Sequence, residues 1–260
     1  MGRIAFNALV LLLFAFLLAP VILVVPMGFS ADRILAWPPS GFSLRWYRAL
    51  LVEPALGQAA RNSLLLATGV TVASLLIGMP AALALARGRM PGSEAIMALL
   101  TAPLLLPTIV LALALLILFV GYGLVGSWVG LGVAHLLVTL PYALRVLSTT
   151  LSTLPAAVEE AAGSLGATPW LVFRRITWPL MLPGVVATAA IVFLVSFDEV
   201  VISLFVVGPR LTTLPVALFR YVENRTDPLV AAASTVLVVV SLLLVVVMER
   251  AVGLRRVVGK

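Results

Sequence analysis

Two adjacent carboxylates, Asp198 and Glu199, interrupt the long apolar stretch of residues 180–207. If this stretch crosses a membrane, each ionised group costs about 2.5–3.5 kcal/mol at the bilayer centre, so both are expected to face protein or water. A carboxylate in a water-filled path attracts amine cations and disfavours anions. We therefore predict that Asp198 and Glu199 line a path for cations, with Asp198 the more direct of the two. The alternative is that the pair binds an arginine, a hydroxyl or helix-start amides of a partner subunit.

The remaining inventory of reactive groups is small. His135 is the single histidine and cysteine is absent, so thiol chemistry and disulfides are excluded. We expect His135 to hydrogen-bond to a neighbouring helix; lining a path or relaying a proton is the alternative. The chain contains no Gly-x-Ser-x-Gly or His-Glu-x-x-His motif and no phosphate-binding Gly-x-x-x-x-Gly-Lys-Ser/Thr loop. Bond chemistry, including ATP hydrolysis, is therefore expected on other polypeptides.

The composition indicates which elements must position these groups. Hydrophobic residues make up 63% of the chain and charged residues only 10%, whereas soluble domains carry about 45–50% and 25%. A bilayer is the natural solvent for such a chain. Because unpaired backbone groups are excluded from hydrocarbon, spans must be helices or closed barrels, and runs of about 20 apolar residues favour helices. The predicted fold class is all-α.

Six apolar stretches are long enough to cross a bilayer: residues 4–28, 61–86, 95–120, 127–147, 180–207 and 229–249. The first exceeds the 7–15 apolar residues of a signal-peptide core, so we expect an uncleaved span. Pro103 and Pro107 are expected to bend the third span. We predict one polytopic transmembrane domain, residues 1–260, with six helices.

Basic residues suggest the orientation of these spans. Placing both termini in the cytoplasm leaves ten basic residues inside: Arg3, Arg87, Arg89, Arg145, Arg174, Arg175, Arg250, Arg255, Arg256 and Lys260. Seven then lie outside: Arg33, Arg45, Arg48, Arg61, Arg210, Arg220 and Arg225. This bias favours cytoplasmic termini. The predicted location is the cytoplasmic (inner) membrane, and Asp198 and Glu199 fall in the outer half of the fifth span.

An outer segment carries a pair of aromatic residues. Residues 41–50 are predicted to form a short interfacial helix in which Trp46 and Tyr47 lie at the depth of the lipid headgroups. An aromatic contact with the membrane surface is the simpler interpretation. Trp46 and Tyr47 are also candidates for the substrate path.

The segment between the fourth and fifth spans, residues 151–179, contains strong signals for two short helices. Pro155 suits the first turn of a helix, and Gly166 is a good left-handed stop. Thr168 then caps a second helix whose first position is Pro169. Connections in bundles usually run 2–8 residues, so a segment of this length and order predicts a rigid projection.

This segment also contains a spaced motif: Glu160, Ala161, Ala162, then Gly166, Ile176, Trp178 and Pro179. Its residue types and spacing resemble the cytoplasmic motif of bacterial ABC importer permeases with the MetI-like fold. Trp178 departs from the usual leucine but keeps a large apolar side chain, so we expect the junction with the following span to survive. Residues 46–47, 196–203, 208–209 and 213–215 further resemble the second permease subunit of spermidine/putrescine importers.

The resemblance implies a coupling helix that fits a groove on a cytoplasmic ATPase subunit. Its expected site residues are Glu160, Ala161, Ala162, Gly166, Ile176 and Pro179. It also implies three kinds of partner: a homologous permease, an ATPase dimer that binds ATP and Mg²⁺, and an extracytoplasmic solute-binding protein. The permease itself is expected to hold no cofactor and to bind no nucleic acid.

The cargo implied by the resemblance is a polyamine such as spermidine or putrescine, or a related cationic amine. Alternatives within the importer class are an opine, an amino-acid derivative, an iron complex or an anion. A secondary transporter driven by an ion gradient is a further alternative, and it would need no ATPase.

Overall fold

A computed structural model describes residues 2–88 and 91–252. Both chain ends lie outside the described residues, as do four of the basic residues used for the orientation: Arg89, Arg255, Arg256 and Lys260. The chain forms two compact units. Among the described residues, the first comprises 2–58 and 217–243, and the second comprises 59–88, 91–216 and 244–252.

Helices account for all named elements in the described ranges, in agreement with the predicted fold class. They are α1 (Gly2–Gly28), α2 (Arg45–Val52), α3 (Pro54–Arg87), α4 (Ser93–Thr101), α5 (Thr108–Tyr122), α6 (Trp128–Thr153), α7 (Ala156–Ser164), α8 (Pro169–Val172), α9 (Trp178–Phe197), α10 (Val201–Val206), α11 (Leu214–Asn224) and α12 (Leu229–Val252). A 3₁₀ turn, Ala102–Leu105, follows α4, and a π turn, Phe173–Thr177, joins α8 to α9.

Within the described ranges, four helices are long and apolar enough to cross a membrane. They are α1, α3, α6 and the continuous helix Pro169–Phe197. The bent pair of α4 and α5 gives a fifth span if the two are counted together, and α12 contributes the shorter apolar helix Leu229–Leu243. The structure therefore confirms a multi-helix membrane protein, while the count of six spans stays a prediction.

The third predicted span, residues 95–120, is not one straight helix. The chain turns by 98° between Ser93–Leu105 and Thr108–Tyr122. Leu106 is extended, with ψ of 141°, as expected for a residue before proline. Pro107 has no backbone N–H to continue the helix. The bend expected from Pro103 and Pro107 is confirmed, and it is sharp enough to separate two helices.

The structure contradicts the prediction that the fifth span, residues 180–207, is one continuous helix. α9 ends at Phe197, the next three residues are not part of a helix, and α10 begins at Val201. The Glu199 carboxylate accepts a hydrogen bond from the Ile202 N–H at 3.0 Å, which satisfies one free amide at the start of α10. The acidic pair therefore marks a helix break rather than two neighbouring positions on a helix.

The core of the second unit holds α5, α6, α9 and α10 together. Leu115 and Phe119 of α5 pack with Leu131 of α6 and Val206 of α10 in one buried apolar cluster. α6 and α9 contact each other extensively. This packing fixes the two ends of the α6–α9 connection, residues 154–177, on one framework.

Candidate functional site

The α6–α9 connection has the two predicted helices, α7 and α8. Pro155 precedes the first residue of α7, and Gly166 adopts a φ of +85° two residues after the helix ends. This left-handed conformation has little cost only for glycine. The Thr168 hydroxyl oxygen accepts a hydrogen bond from the Leu171 N–H at 3.4 Å, and Pro169 occupies the first position of α8. The local prediction is confirmed.

One side of this connection is exposed in the second unit. Leu165 is 89% exposed and Trp170 is 67% exposed, although both are large apolar side chains. Glu160 and Ala161 are exposed beside them, and Ala162 is half-buried. Exposed apolar groups flanked by a charge are typical of a docking surface. Of the remaining motif residues, Ile176 is half-buried and Pro179 is exposed.

The inward side of the connection carries an ion pair that the sequence analysis missed. The Arg87 Nε lies 3.1 Å from the Glu159 Oε2, and the Thr177 hydroxyl donates to the Glu159 Oε1 at 2.8 Å. Arg87 also donates to the carbonyl oxygens of Leu151 at 3.2 Å and Leu154 at 3.0 Å. These contacts bring α3, the end of α6, α7 and the start of α9 to one place.

The sequence offered only a weak signal for this cluster. The sequence indicates a topology charge at Arg87 and no role for Thr177, because these residues lie 72 and 18 positions from Glu159 in the chain. Of the two adjacent glutamates, the motif selects Glu160. The structure shows that the neighbouring Glu159 makes the internal contacts.

The two predicted path carboxylates differ in their surroundings. Asp198 is exposed, whereas Glu199 is half-buried and accepts the hydrogen bond from the Ile202 N–H. The predicted alternative was binding to helix-start amides of a partner subunit, whereas Glu199 binds a helix-start amide of this chain. Asp198 stays the more accessible carboxylate of the pair.

His135 links three helices of the second unit. Its Nδ1 lies 3.0 Å from the Ser196 hydroxyl of α9, and its Nε2 lies 2.8 Å from the Ser203 hydroxyl of α10. The side chain is only 1% exposed. The predicted hydrogen bond to another helix is confirmed, and there are two of them. The two serines that His135 contacts lie on either side of the helix break that contains Asp198 and Glu199.

The predicted interfacial helix begins later than expected, since α2 spans Arg45–Val52 rather than residues 41–50. The Trp46 Nε1 donates to the Asp32 carbonyl at 3.2 Å, and the Arg45 guanidinium lies 4.4 Å from the centre of the Trp46 ring. The Tyr47 ring packs on Phe29 with centroids 4.8 Å apart. These contacts stabilise the first unit, and a role in the substrate path stays a prediction.

Asp32 organises the loop before α2. Its carboxylate accepts hydrogen bonds from the Ser30 hydroxyl at 2.9 Å, the Ser40 N–H at 2.9 Å and the Ser40 hydroxyl. The bonds from Ser40 are the main reason that the pKa of Asp32 lies below its ordinary value, because they favour the charged form. The loop is thus closed by a charged hydrogen-bond acceptor.

The sequence is similar to a protein family and to several of its relatives. Residues 74–255 match the profile of a family described as "Binding-protein-dependent transport system inner membrane component". The putrescine transport system permease protein PotI of Escherichia coli K12 is 35% identical over 244 residues, covering 90% of this chain and 86% of PotI. The spermidine/putrescine transport system permease protein PotC of Haemophilus influenzae is 36% identical over 233 residues, covering 89% of this chain and 90% of PotC.

A relative with a different named cargo is also similar. The molybdenum transport system permease protein ModB of Mycobacterium bovis is 35% identical over 222 residues, covering 78% of this chain and 83% of ModB. Among solved structures, a chain of the MetNI methionine ABC transporter matches with a TM-score of 0.63 at 22% identity, covering 77% of this chain and 97% of that chain. A chain of a bacterial ABC transporter that imports alginate matches with a TM-score of 0.69 at 16% identity, covering 99% and 96%. These structural similarities establish the fold.

Proposed function

We propose that this chain is the permease subunit of an ATP-driven polyamine importer. The chain belongs to the family of binding-protein-dependent transport system inner membrane components. Its 260 residues form one transmembrane permease domain. The domain pairs with a homologous permease, contacts an ATPase dimer and receives cargo from an extracytoplasmic binding protein. Both termini and the α6–α9 connection face the cytoplasm.

The observation that carries this proposal is the ordered, exposed form of the α6–α9 connection. A docking element must keep its shape while force passes through it, and Gly166, Thr168 and Pro169 fix the angle between α7 and α8. Glu160 and Leu165 lie on the exposed side, where an ATPase subunit would make contact. This arrangement supports coupling through α7.

Polyamines are the proposed cargo for two reasons. The relatives PotI and PotC are putrescine and spermidine/putrescine permeases, and they are similar over about nine-tenths of this chain. Asp198 adds an exposed carboxylate beside a helix break, and a carboxylate favours cations over anions. Similarity to ModB makes a molybdenum compound the second candidate, although it covers a smaller share of this chain.

Coupling is tested with Glu160→Ala and Gly166→Ala in the complex purified through a tag on this chain. Both variants are expected to reach the membrane and retain ATPase subunits, but to hydrolyse ATP without matching uptake. Gly166→Ala places a side chain in the left-handed region, which costs about 1 kcal/mol or more and rotates α7 relative to α8. Glu94→Gln, on the exposed part of α4, is the matched control. Normal uptake in both variants would refute the assigned role.

Cargo is tested by labelled uptake in a strain that lacks this chain and is complemented with wild type or Asp198→Asn. Wild type is expected to restore uptake of putrescine or spermidine, and unlabelled molybdate is expected not to compete. Asp198→Asn should lower polyamine uptake while the protein level stays constant. Restored molybdate uptake without polyamine uptake would replace the polyamine assignment with the second candidate.

A further inference from the structure

We infer that Arg87 and Glu159 form the joint that transmits movement of α7 to the membrane helices, and that these two positioning residues are distinct from the motif residues that face the ATPase. The inference rests on the proposed function, because it concerns how an importer permease is coupled. It assigns separate tasks to the adjacent glutamates. Glu160 serves the outer surface of α7, and Glu159 serves its connection to the spans.

The contacts of Glu159 reach two different helices. One carboxylate oxygen pairs with the Arg87 Nε of α3 at 3.1 Å. The other accepts from the hydroxyl of Thr177 at 2.8 Å, and Thr177 immediately precedes α9 and is itself buried. A displacement of α7 therefore acts directly on the end of α3 and the start of α9.

Arg87 extends the joint to a fourth element. The backbone N–H of residue 155 would normally bond to the Leu151 carbonyl, but residue 155 is proline and has no N–H. The Leu151 carbonyl accepts from the Leu154 N–H at 3.2 Å. The Arg87 guanidinium donates to this same carbonyl and also to the Leu154 carbonyl. One side chain thus contacts two carbonyls at the end of α6, immediately before α7 begins.

The position of Glu159 suits transmission. Adjacent residues in a helix point about 100° apart. Glu159 and Glu160 line one cavity with Arg87, but it is Glu159 that pairs with Arg87. The Arg87 and Glu159 side chains are only 26% and 20% exposed, respectively, whereas Glu160 is exposed. Removing one partner from a largely enclosed pair leaves an uncompensated charge. The joint is therefore expected to break when either residue is neutralised.

The experiment compares Arg87→Gln, Glu159→Gln and the double variant in the complex purified through a tag on this chain and reconstituted with its binding protein. The measured quantity is the number of ATP molecules hydrolysed per labelled putrescine imported. Retention of the ATPase subunit is measured in the same preparations. Arg61→Gln, at an exposed position on the same helix as Arg87, and Glu94→Gln are matched controls.

Each single variant is expected to raise the ATP-to-putrescine ratio at least about fivefold, the lower end of typical coupling between two sites. The double variant should resemble the single variants rather than multiply their effects, because residues in one network are not additive. Arg87→Lys keeps the charge and should retain more coupling than Arg87→Gln. The controls should match wild type.

Three results would overturn the inference. Unchanged ratios in both single variants would show that the pair carries no movement, and multiplied effects in the double variant would show that the residues act separately. A third result is that both single variants lose the ATPase subunit while the double variant fully recovers coupling. This result would show that the pair acts only in assembly of the permease with the ATPase. Failure of the wild-type complex to use ATP or import putrescine would instead contradict the proposed function. The inferred role of Arg87 and Glu159 would then be refuted as well, because it depends on that function.

Discussion

Replacement of His135 provides a sharp test of how the broken segment between α9 and α10 is stabilised. The imidazole hydrogen-bonds to the hydroxyls of Ser196 and Ser203, and all three side chains are at least 97% buried. In His135→Leu the ring is replaced by an apolar group, so both hydroxyls lose their partner. The perturbation removes two hydrogen bonds without removing the bulk of the side chain.

The expected cost follows from the two hydroxyls. A buried polar group left without a partner costs about 1–3 kcal/mol, so two of them give about 2–6 kcal/mol. Hydrogen bonds between helices within membranes average only about 0.6 kcal/mol in double-mutant cycles, which favours the lower end. We therefore expect His135→Leu to lower the free energy of unfolding by about 2 kcal/mol.

The assay is unfolding of the purified chain in detergent, followed by circular dichroism. The triple variant His135→Leu, Ser196→Ala and Ser203→Ala is the matched control, because removing both partners together can be nearly neutral. It is expected to recover at least half of the loss. A loss of stability below about 0.5 kcal/mol in the single variant, or no recovery in the triple variant, would refute the bridging role of His135, since both outcomes conflict with the cost of unpaired buried hydroxyls.

Two further predictions concern packing and pH. A Cβ added to Gly184 of α9 would lie 2.8 Å from the Thr150 Cβ of α6, so Gly184→Ala should lower the free energy of unfolding by about 1–3 kcal/mol in the same assay. Adding Thr150→Ala should recover part of this stability. An unchanged free energy of unfolding in Gly184→Ala would contradict the close approach of the two helices. Hydrogen bonds from Ser40 are the main cause of the lowered pKa of Asp32 in the folded protein. The charged Asp32 therefore stabilises the fold at pH values above its ordinary pKa of 3.8, and this stabilisation is lost as the pH falls through the lower pKa of the folded state. Limited proteolysis of the loop before α2 should therefore accelerate in that acidic range in wild type, whereas Asp32→Asn should be cleaved faster at pH 7 and show little further change on acidification.

Local sequence signals predicted the α6–α9 connection well because the relevant chemistry is local. Pro155, Gly166, Thr168 and Pro169 each restrict the backbone of their own or adjacent residues. Their effect does not depend on distant parts of the chain. The same reasoning explains why the bend at Pro107 was expected, since a proline inside a helical pattern has no N–H for the hydrogen bond that would continue the helix.

Other features depended on contacts between distant residues and were missed. Residues 180–207 are apolar on both sides of Asp198 and Glu199, and hydropathy alone does not reveal that the helix ends at Phe197. The partner of Glu159 is Arg87, 72 positions away, and no periodicity relates two such residues. Hydrophobic pattern therefore indicated the class of protein, whereas the ion pair and the helix break required the packed structure.

The most direct test of coupling through α7 uses Leu165→Cys, because the chain has no natural cysteine and Leu165 is 89% exposed. The measurement is the reaction of this cysteine with a membrane-impermeant maleimide in inverted membrane vesicles, before and after the ATPase subunits are stripped off. We expect the introduced cysteine to be protected before stripping and to be labelled rapidly afterwards. Equal labelling in both states, or labelling of intact cells from the outside, would contradict the assignment of α7 as the cytoplasmic contact with the ATPase.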